Sequence, residues 1–407
     1  MNPRGPAPPP PLRVLHVIPA VAPRYGGPSR AVLEMCLALQ ARGVAPLIAT
    51  TDADGGDHRL PVQIERPVSY GGVPAIFFTR QWSESFKYSR PLAQWLDMHV
   101  ADFHVAHIHA VFSHSCLAAA ARCRRRGVPY VVRPLGTLDP WSLGQNPLRK
   151  RLLWLLAAKR MLRGAAAIHY TTGGEQRAVE GSLGLRCGVV IPLGIEERLL
   201  TEPPTSEILR RRQAGEDQYV LVLSRLHPKK GLELFLDVFL DVVQRDGLGR
   251  WRLVVAGDGD PAYVDTLRCL VRERDGTDRV VWTGWLEGEA KTAVLQGAQL
   301  FVLPSRQENF GLAVMEALAC GVPVLISDHV NVADEIEAVG AGWVVPLERA
   351  DLAKALEEAL RGGDERANRG LAGRALVSRR FRWAGIAGEL HALYASLAHV
   401  AAPASRE

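Results

Sequence analysis

The stretch Pro304–Val324, PSRQENFGLAVMEALACGVPV, packs a strand exit, a polar turn and a helix into 21 residues. The apolar run QLFVL (Gln299–Leu303) leads into it as a buried strand. Leu312, Met315, Leu318 and Ala319 then recur at helical spacing, and Gly321 and Pro323 stop the helix. Glu308 and Glu316 lie eight residues apart. On one continuous helix that would be about 12 Å of rise. Here Glu308 sits in the turn and Glu316 in the opening turns of the helix, so both can face one pocket at the strand's carboxyl end. Gly311 lets backbone N–H groups approach an anion where the helix dipole is positive. Acids beside an anion hole suit a ligand with both phosphates and hydroxyls, such as a nucleotide sugar. The plain alternative is a solvated Glu and a helix-face Glu in an ordinary α/β protein.

Working outward, the same strand–helix alternation fills the second half. YVLVLSRL, WRLVVAGDG, RVVWTGW, PVLISD and AGWVVPL read as strands with helices between them. The first half repeats the scheme with RVLHVIPA, APLIATT, VPAIFFTR, VAHIHAV, YVVRPLG, AAIHYTT and GVVIPLG. Its helices are expected over about 29–41, with Ser29 as N-cap, and near 89–101, 113–126, 147–163 and 174–182. Such alternation predicts a parallel, doubly wound sheet in each half. A chain of 407 residues is also too long for one ordinary core. The expected division is a disordered Pro-rich lead over 1–11, a first domain over 12–196, a polar linker over 197–217 and a second domain over 218–382. A last helical segment occupies 383–407.

Composition excludes several classes. No run of eighteen apolar residues exists to span a bilayer, and MNPRGPAPPPPL lacks the apolar stretch of a signal peptide. The six cysteines are scattered, with no Cys-x-x-Cys, which predicts reduced thiols in a cytoplasmic protein and no zinc site. Residues 1–200 carry 24 Lys+Arg against 13 Asp+Glu, and residues 201–407 carry 25 against 30. The halves are therefore +11 and −5, which points to an anionic partner for the first half. No zinc finger, RNP-like strand or Lys-rich tail supports nucleic acid as that partner.

Other segments carry chemistry at strand ends. LSRLHPKKG places Arg225 and Lys230 after the first strand of the second domain, where two cations can neutralise a diphosphate without metal. Gly26-Gly27 fills the first strand-to-helix loop. VAHIHAVFSHS puts His107 and His109 on one strand face, since side chains alternate with period two. No carboxylate or Cys completes a metal set there. Two Asp-x-Asp triplets, Asp52–Asp54 and Asp258–Asp260, lie in Gly-rich loops and read as turn chemistry. LRKRLLWLLAAKRMLR (148–163) is a basic, apolar helix. It either covers the first domain or rests on an anionic membrane.

The Glu-(x)7-Glu pattern inside PSxxExFGxxxxEAxAxGxPV resembles the signature of family 4 retaining glycosyltransferases, which have the GT-B fold. The resemblance implies two doubly wound, Rossmann-like α/β domains facing across a cleft, with the last helix crossing back to the first. It implies that Arg225 and Lys230 bind the donor diphosphate, with Glu316 on the ribose. Glu308 and the backbone of Asn309, Phe310, Gly311 and Leu312 would hold sugar hydroxyls and phosphate. Gly26 and Gly27 would approach the diphosphate, Gly257, Trp285 and Leu286 would line the nucleotide, and His109 would contact the transferred sugar. RPLGTLDPWSL resembles a segment of exopolysaccharide-type members, which makes Arg133 and Asp139 acceptor-side candidates. Leu193 in PLGI departs from the Asn of many relatives, which removes one expected contact near the domain boundary.

The implied activity is metal-independent, retaining transfer of a hexosyl group from a nucleotide-diphospho-sugar to a saccharide or lipid-linked acceptor, as in polysaccharide or glycolipid synthesis. No cofactor is implied, because the nucleotide sugar is a substrate. A nucleotide-sugar epimerase or phosphorylase on the same scaffold would keep the same cations. A Rossmann oxidoreductase would need the Gly-x-Gly-x-x-Gly that AGDGDP lacks. A non-catalytic binding module would not need the Glu pair and both cations.

Overall fold

The computed structural model describes residues 10–82, 84–138, 157–202 and 218–401. They form two compact units: residues 1–194 with 383–407, and residues 195–382. The expected lead over 1–11 and the linker over 197–217 fall largely outside the described residues. Where the linker is described, it departs from expectation. Glu197–Thr201 is a short helix of the second unit, with Leu199 buried.

The first unit is built on the strands β1 (Arg13–Ala20), β2 (Ala45–Thr51), β3 (Pro67–Tyr70), β4 (Val73–Phe78), β5 (Val105–His109), β6 (Tyr130–Arg133), β7 (Ala167–Tyr170) and β8 (Gly188–Val190). Their order is β3-β4-β2-β1-β5-β6-β7-β8. Every residue of β5, β6 and β7 is buried, as expected of parallel strands covered by helices on both faces. On one face Leu15, Ile108 and Val132 pack with Leu96 and Ala119 of the helices Arg90–His99 and His114–Arg126. On the other, Ile18, Ile48 and Phe77 meet Val32 and Cys36 of the helix Gly27–Gln40. That helix begins two residues earlier than expected, with Gly26 at its N-cap. Ser29 lies inside the first turn, and its hydroxyl donates to the Ala20 carbonyl instead of capping.

One strand escaped the sequence pattern. The edge strand β3 runs antiparallel to β4 and is only half covered, so it has no apolar run to reveal it. The last helix, Trp383–Ala401, belongs to the first unit, as the resemblance implied, and Trp383 donates its indole N–H to Glu34 there at 2.8 Å.

The second unit has β9 (Tyr219–Leu223), β10 (Arg252–Ala256), β11 (Val280–Gly284), β12 (Leu300–Leu303), β13 (Val324–Ser327) and β14 (Gly342–Val345). They pair in parallel in the order β11-β10-β9-β12-β13-β14. The chain thus adds strands to one side of β9, then returns to the other side with β12. The first unit reverses in the same way between β1 and β5. Open α/β sheets bind ligands beyond the carboxyl ends of the strands at such a reversal.

Of the basic segment 148–163, residues 148–156 lie outside the described residues. Lys159–Arg163 is helical, with Met161 and Leu162 buried in the first unit. No helix among the described residues is long and apolar enough to cross a membrane.

Candidate functional site

In the second unit the reversal puts the loop after β9 beside the loop after β12. The two are stitched by backbone: the Arg306 N–H donates to the Lys229 carbonyl at 2.7 Å. Gly231 sits so close to the same loop that a Cβ would fall 2.2 Å from the Pro304 carbonyl oxygen. With φ at +66°, this position therefore requires glycine on two counts. The consequence is chemical. Lys230, buried at 8% exposure, forms an ion pair with the Glu308 carboxylate.

Burial alone would raise the Glu308 carboxyl. The Lys230 and Lys229 cations, the Lys230 hydrogen bond and the Asn309 N–H outweigh it and hold the carboxyl below its ordinary value. Its backbone is clamped as well. The Glu308 N–H donates to the His329 carbonyl at 3.2 Å, and its own carbonyl accepts from Asn331 at 3.1 Å. Glu308 is therefore ionised and fixed between the ends of β12 and β13.

Eight residues on, Glu316 is buried in the helix Leu312–Ala319 and accepts from the Lys291 ammonium at 2.6 and 2.7 Å. Lys291, on the helix Gly288–Gly297, was missed by sequence reading because GEAKT carries no motif. Gly311 caps the Leu312 helix at φ +71° with no side-chain hydrogen bond, so its first N–H groups have no side-chain cap. The Asn309 N–H, expected to face a ligand, is turned onto the Glu308 carboxylate. Phe310 is buried against Phe381, which leaves its backbone as the part available to a ligand.

The remaining donor-side candidates follow the strand ends. Arg225 is exposed after β9. Gly257, after β10, lies so near the Ser224 carbonyl that any Cβ would collide with it, and its N–H donates to Gly284 at 2.8 Å. Trp285 follows β11, is 44% exposed and donates to Glu287 at 2.7 Å, with Leu286 half-buried beside it. Arg225, Gly257, Trp285 and Glu308 thus follow the carboxyl ends of four adjacent strands, a span of about 14 Å at strand spacing. A cavity of about 480 Å³ lined by Leu240, Arg245, Arg274 and Arg279 includes none of them. It opens at the other end of the helix Leu232–Val243.

Both Asp-x-Asp triplets serve loops. Asp52 accepts from the Arg80 N–H and pairs with Arg59, while Asp260 caps the helix Pro261–Glu273.

In the first unit, Gly26 takes φ +75° after β1 and Gly27 opens the following helix. Beneath that reversal lies a closed group of histidines. The Ile191 carbonyl can only accept, so His169 must present Nε2–H to it, at 2.6 Å. The neutral His169 then accepts at Nδ1 from His107, 3.3 Å away, and His107 accepts at its own Nδ1 from the Tyr394 hydroxyl at 2.7 Å. One acceptor orders the whole chain. Burial pushes His16 and His169 down to about 3, and lowers His107 and His109 well below their ordinary value.

His109 was expected to contact a transferred sugar. As placed, it has no exposed surface, stacks on His16 and shares a hydrogen bond with it at 3.0 Å. Its side chain is therefore packed inside the first unit, against His16. Nitrogens of His16, His107 and His109 lie within 4.8 Å of one another, a spacing compatible with a cation. The adjacent Arg133 guanidinium, which depresses all four imidazoles, opposes one. Arg133 itself is fully buried at the end of β6, and Asp139 lies outside the described residues.

Comparison with known proteins agrees with this architecture. Residues 26–194 match the model of the glycosyl transferase 4-like domain, and residues 206–376 match that of glycosyl transferases group 1. Mannosylfructose-phosphate synthase of Agrobacterium fabrum is 28% identical over 50% of this chain and 46% of its own length. A GDP-mannose-dependent phosphatidylinositol monomannoside mannosyltransferase of Mycobacterium tuberculosis is 31% identical over 49% of this chain and 54% of its own. The chain thus aligns with about half the length of these curated relatives. Among solved structures, Anabaena HepE in complex with UDP and glucose superposes with a TM-score of 0.75 at 20% identity, over 95% of this chain and 100% of that one. Sucrose-phosphate synthase from Thermosynechococcus elongatus gives 0.76 at 20% identity, over 96% and 100%. With one half matched by each model and the two parallel-sheet units in place, the chain belongs to the group 1, family 4 type of glycosyltransferases with the GT-B fold.

Proposed function

We propose that the protein transfers a hexosyl group from a nucleotide-diphospho-sugar to a hydroxyl of a saccharide or lipid-linked acceptor, with retention and without a metal ion. The observation that carries this reading is the Lys230–Glu308 contact at the strand-order reversal of the second unit. A buried ammonium held by one carboxylate is ready to exchange that partner for a diphosphate. Arg225 supplies a second cation, and the uncapped N–H groups of the Leu312 helix supply neutral donors. Together they would stabilise the charge that grows on the departing diphosphate, the work a metal ion would otherwise do.

Glu308, released from Lys230, would accept from sugar hydroxyls, and Glu316, oriented by Lys291, from the ribose. In the transfer step the bond from the anomeric carbon to the phosphate oxygen breaks. A bond to the acceptor oxygen forms on the same face, and the acceptor proton passes to the leaving phosphate. The names of the relatives, which include a mannosyltransferase and a neighbour holding UDP and glucose, support a nucleotide-sugar donor.

The test is a thermal-shift screen in EDTA against GDP, UDP, ADP and their sugars. One nucleoside diphosphate should raise the melting temperature without added metal. No shift with any of them, or a shift with NAD(P) alone, would overturn the proposal.

A further inference from the structure

Lys230 is placed by a single 3-10 turn, Pro228–Lys230, and the cap of that turn is a histidine. Turns and helices of this kind are ordinarily capped by Ser, Thr, Asp or Asn, whose short side chains reach a backbone N–H. Here the backbone of His227 is extended, Pro228 follows at the first position, and the His227 Nδ1 accepts from the Lys229 N–H at 3.1 Å. The His227 carbonyl also accepts from the Lys230 N–H at 2.8 Å. On the other side, the Lys229 carbonyl accepts from the Arg306 N–H at 2.7 Å. The segment that brings Lys230 to Glu308 is therefore held by His227 and by the loop after β12.

An acceptor at Nδ1 fixes the state of the ring. The Lys229 N–H can only donate, so Nδ1 must be bare and the proton must sit on Nε2. Protonation would add an N–H at Nδ1 and set donor against donor. The cap exists only while the imidazole is neutral. The surrounding charge favours that state. Partial burial, then the Lys229, Arg225 and Lys230 cations, lower the ring below its ordinary value, and Glu233 of the helix Leu232–Val243 opposes them. The other charged groups around this turn belong to three elements. Arg306 and Glu308 of the loop after β12 join it at Lys229 and Lys230. The loop after β10, paired with Leu226, carries Asp258 and Asp260, and Tyr263 of the helix Pro261–Glu273 interacts with Glu233.

We propose that His227 is a positioning residue for the transfer reaction: its neutral imidazole holds the turn that presents Lys230 to the donor diphosphate, and protonation of the ring releases that turn. This deepens the reading of Lys230 as a diphosphate ligand and rests on it. An aspartate cap would place a carboxylate among the same cations and compete with the diphosphate. Asparagine or serine would cap at every pH. Histidine caps without adding negative charge, and a proton removes the cap.

The test uses the full chain, with His227→Asn, whose side-chain oxygen caps without titrating, and His227→Ala, which has no cap. UDP, GDP and ADP are titrated calorimetrically between pH 8 and 5.5. At pH 8, His227→Asn should bind the same nucleotide as the wild type, within about twofold, and His227→Ala about tenfold more weakly, the usual effect of one lost cap. As pH falls, the wild type should lose affinity relative to His227→Asn by about fivefold or more. Protonation of the nucleotide itself is common to both chains and cancels. In the ligand-free chain, nitrogen-15 spectra should show the His227 ring as the Nε2–H form at pH 8. The Glu308 carboxyl should titrate below its ordinary value in the wild type and His227→Asn, and closer to that value in His227→Ala.

A wild-type to His227→Asn ratio that stays level with pH would overturn the proposal. So would a wild type that gains on His227→Asn in acid, as an imidazolium bound directly to the diphosphate requires. An Nδ1–H ring, or a His227→Ala chain with wild-type affinity, counts against it equally. If none of the three nucleotides binds the wild type, the donor reading fails. The ring form and the Glu308 titration then decide by themselves whether His227 holds the Lys230 turn.

Discussion

Lys230 and Glu308 are each tolerable only in the other's presence. A lysine at 8% exposure loses hydration that a single carboxylate restores, and the same cation holds that carboxyl below its ordinary value. Replacing Lys230 with Ala should cut kcat by about 10²–10³, the usual loss for one donor aimed at developing charge. Steady-state kinetics with the donor found by thermal shift would check this. An unchanged kcat would remove Lys230 from the chemistry. Lys291 invites a finer test, because its contact with Glu316 orients a carboxylate assigned to the ribose. The wild type should bind a ribonucleoside diphosphate roughly tenfold tighter than its 2′-deoxy counterpart, about the value of one hydrogen bond to a charged group. In Lys291→Ala that ratio should shrink to within about threefold. A ratio left intact alongside a lower melting temperature would mean that Lys291 only supports the fold.

At the scale of elements, β1, β5 and β7 carry four buried neutral histidines: His16, His107, His109 and His169. Their folded values lie below the ordinary 6.5, two of them at about 3. Between the folded and unfolded values the unfolded chain binds more protons. Stability therefore rises with pH across that window and is lost as pH falls below 6.5. Each histidine can contribute up to about 1.4 kcal/mol per pH unit. Calorimetry from pH 7 to 4 should show the first unit's transition dropping more steeply than the second unit's, where the lowered His227 and Glu308 act in the same direction but are fewer. Arg133, Cys36, Glu175 and Tyr394 border this cluster or interact with it electrostatically, and burial raises the Cys36 thiol and the Tyr394 hydroxyl so that both stay neutral across that range. Parallel shifts of both transitions would contradict the assignment.

Taken whole, the chain ends in the unit where it began. The helix Trp383–Ala401 contributes Leu390 and Tyr394 to the first unit's buried set, and Tyr394 is the donor that ends the histidine chain. A chain ending at Arg382 should therefore lose or strongly lower the first unit's thermal transition and retain the second's. A first-unit transition unaffected by that truncation would show the helix to be dispensable.

The strands of the second unit, the helix after Glu308 and the positions of Arg225, Lys230 and Glu316 were all legible in the sequence. Each depends on local physics: an apolar run of strand length, a glycine at a cap, a cation or carboxylate at a strand end. What the sequence by itself determined was therefore the two-unit parallel α/β plan and the residue types at the carboxyl ends of its strands. Pairing was not legible, because partners far apart in the chain leave no periodic trace. Only the tertiary structure decided that Lys291 meets Glu316, that His109 turns inward to His16, and that Arg133 is buried without an acceptor. Those outcomes depend on which strands and helices become neighbours, and strand order is set by packing across the whole sheet rather than by any one segment.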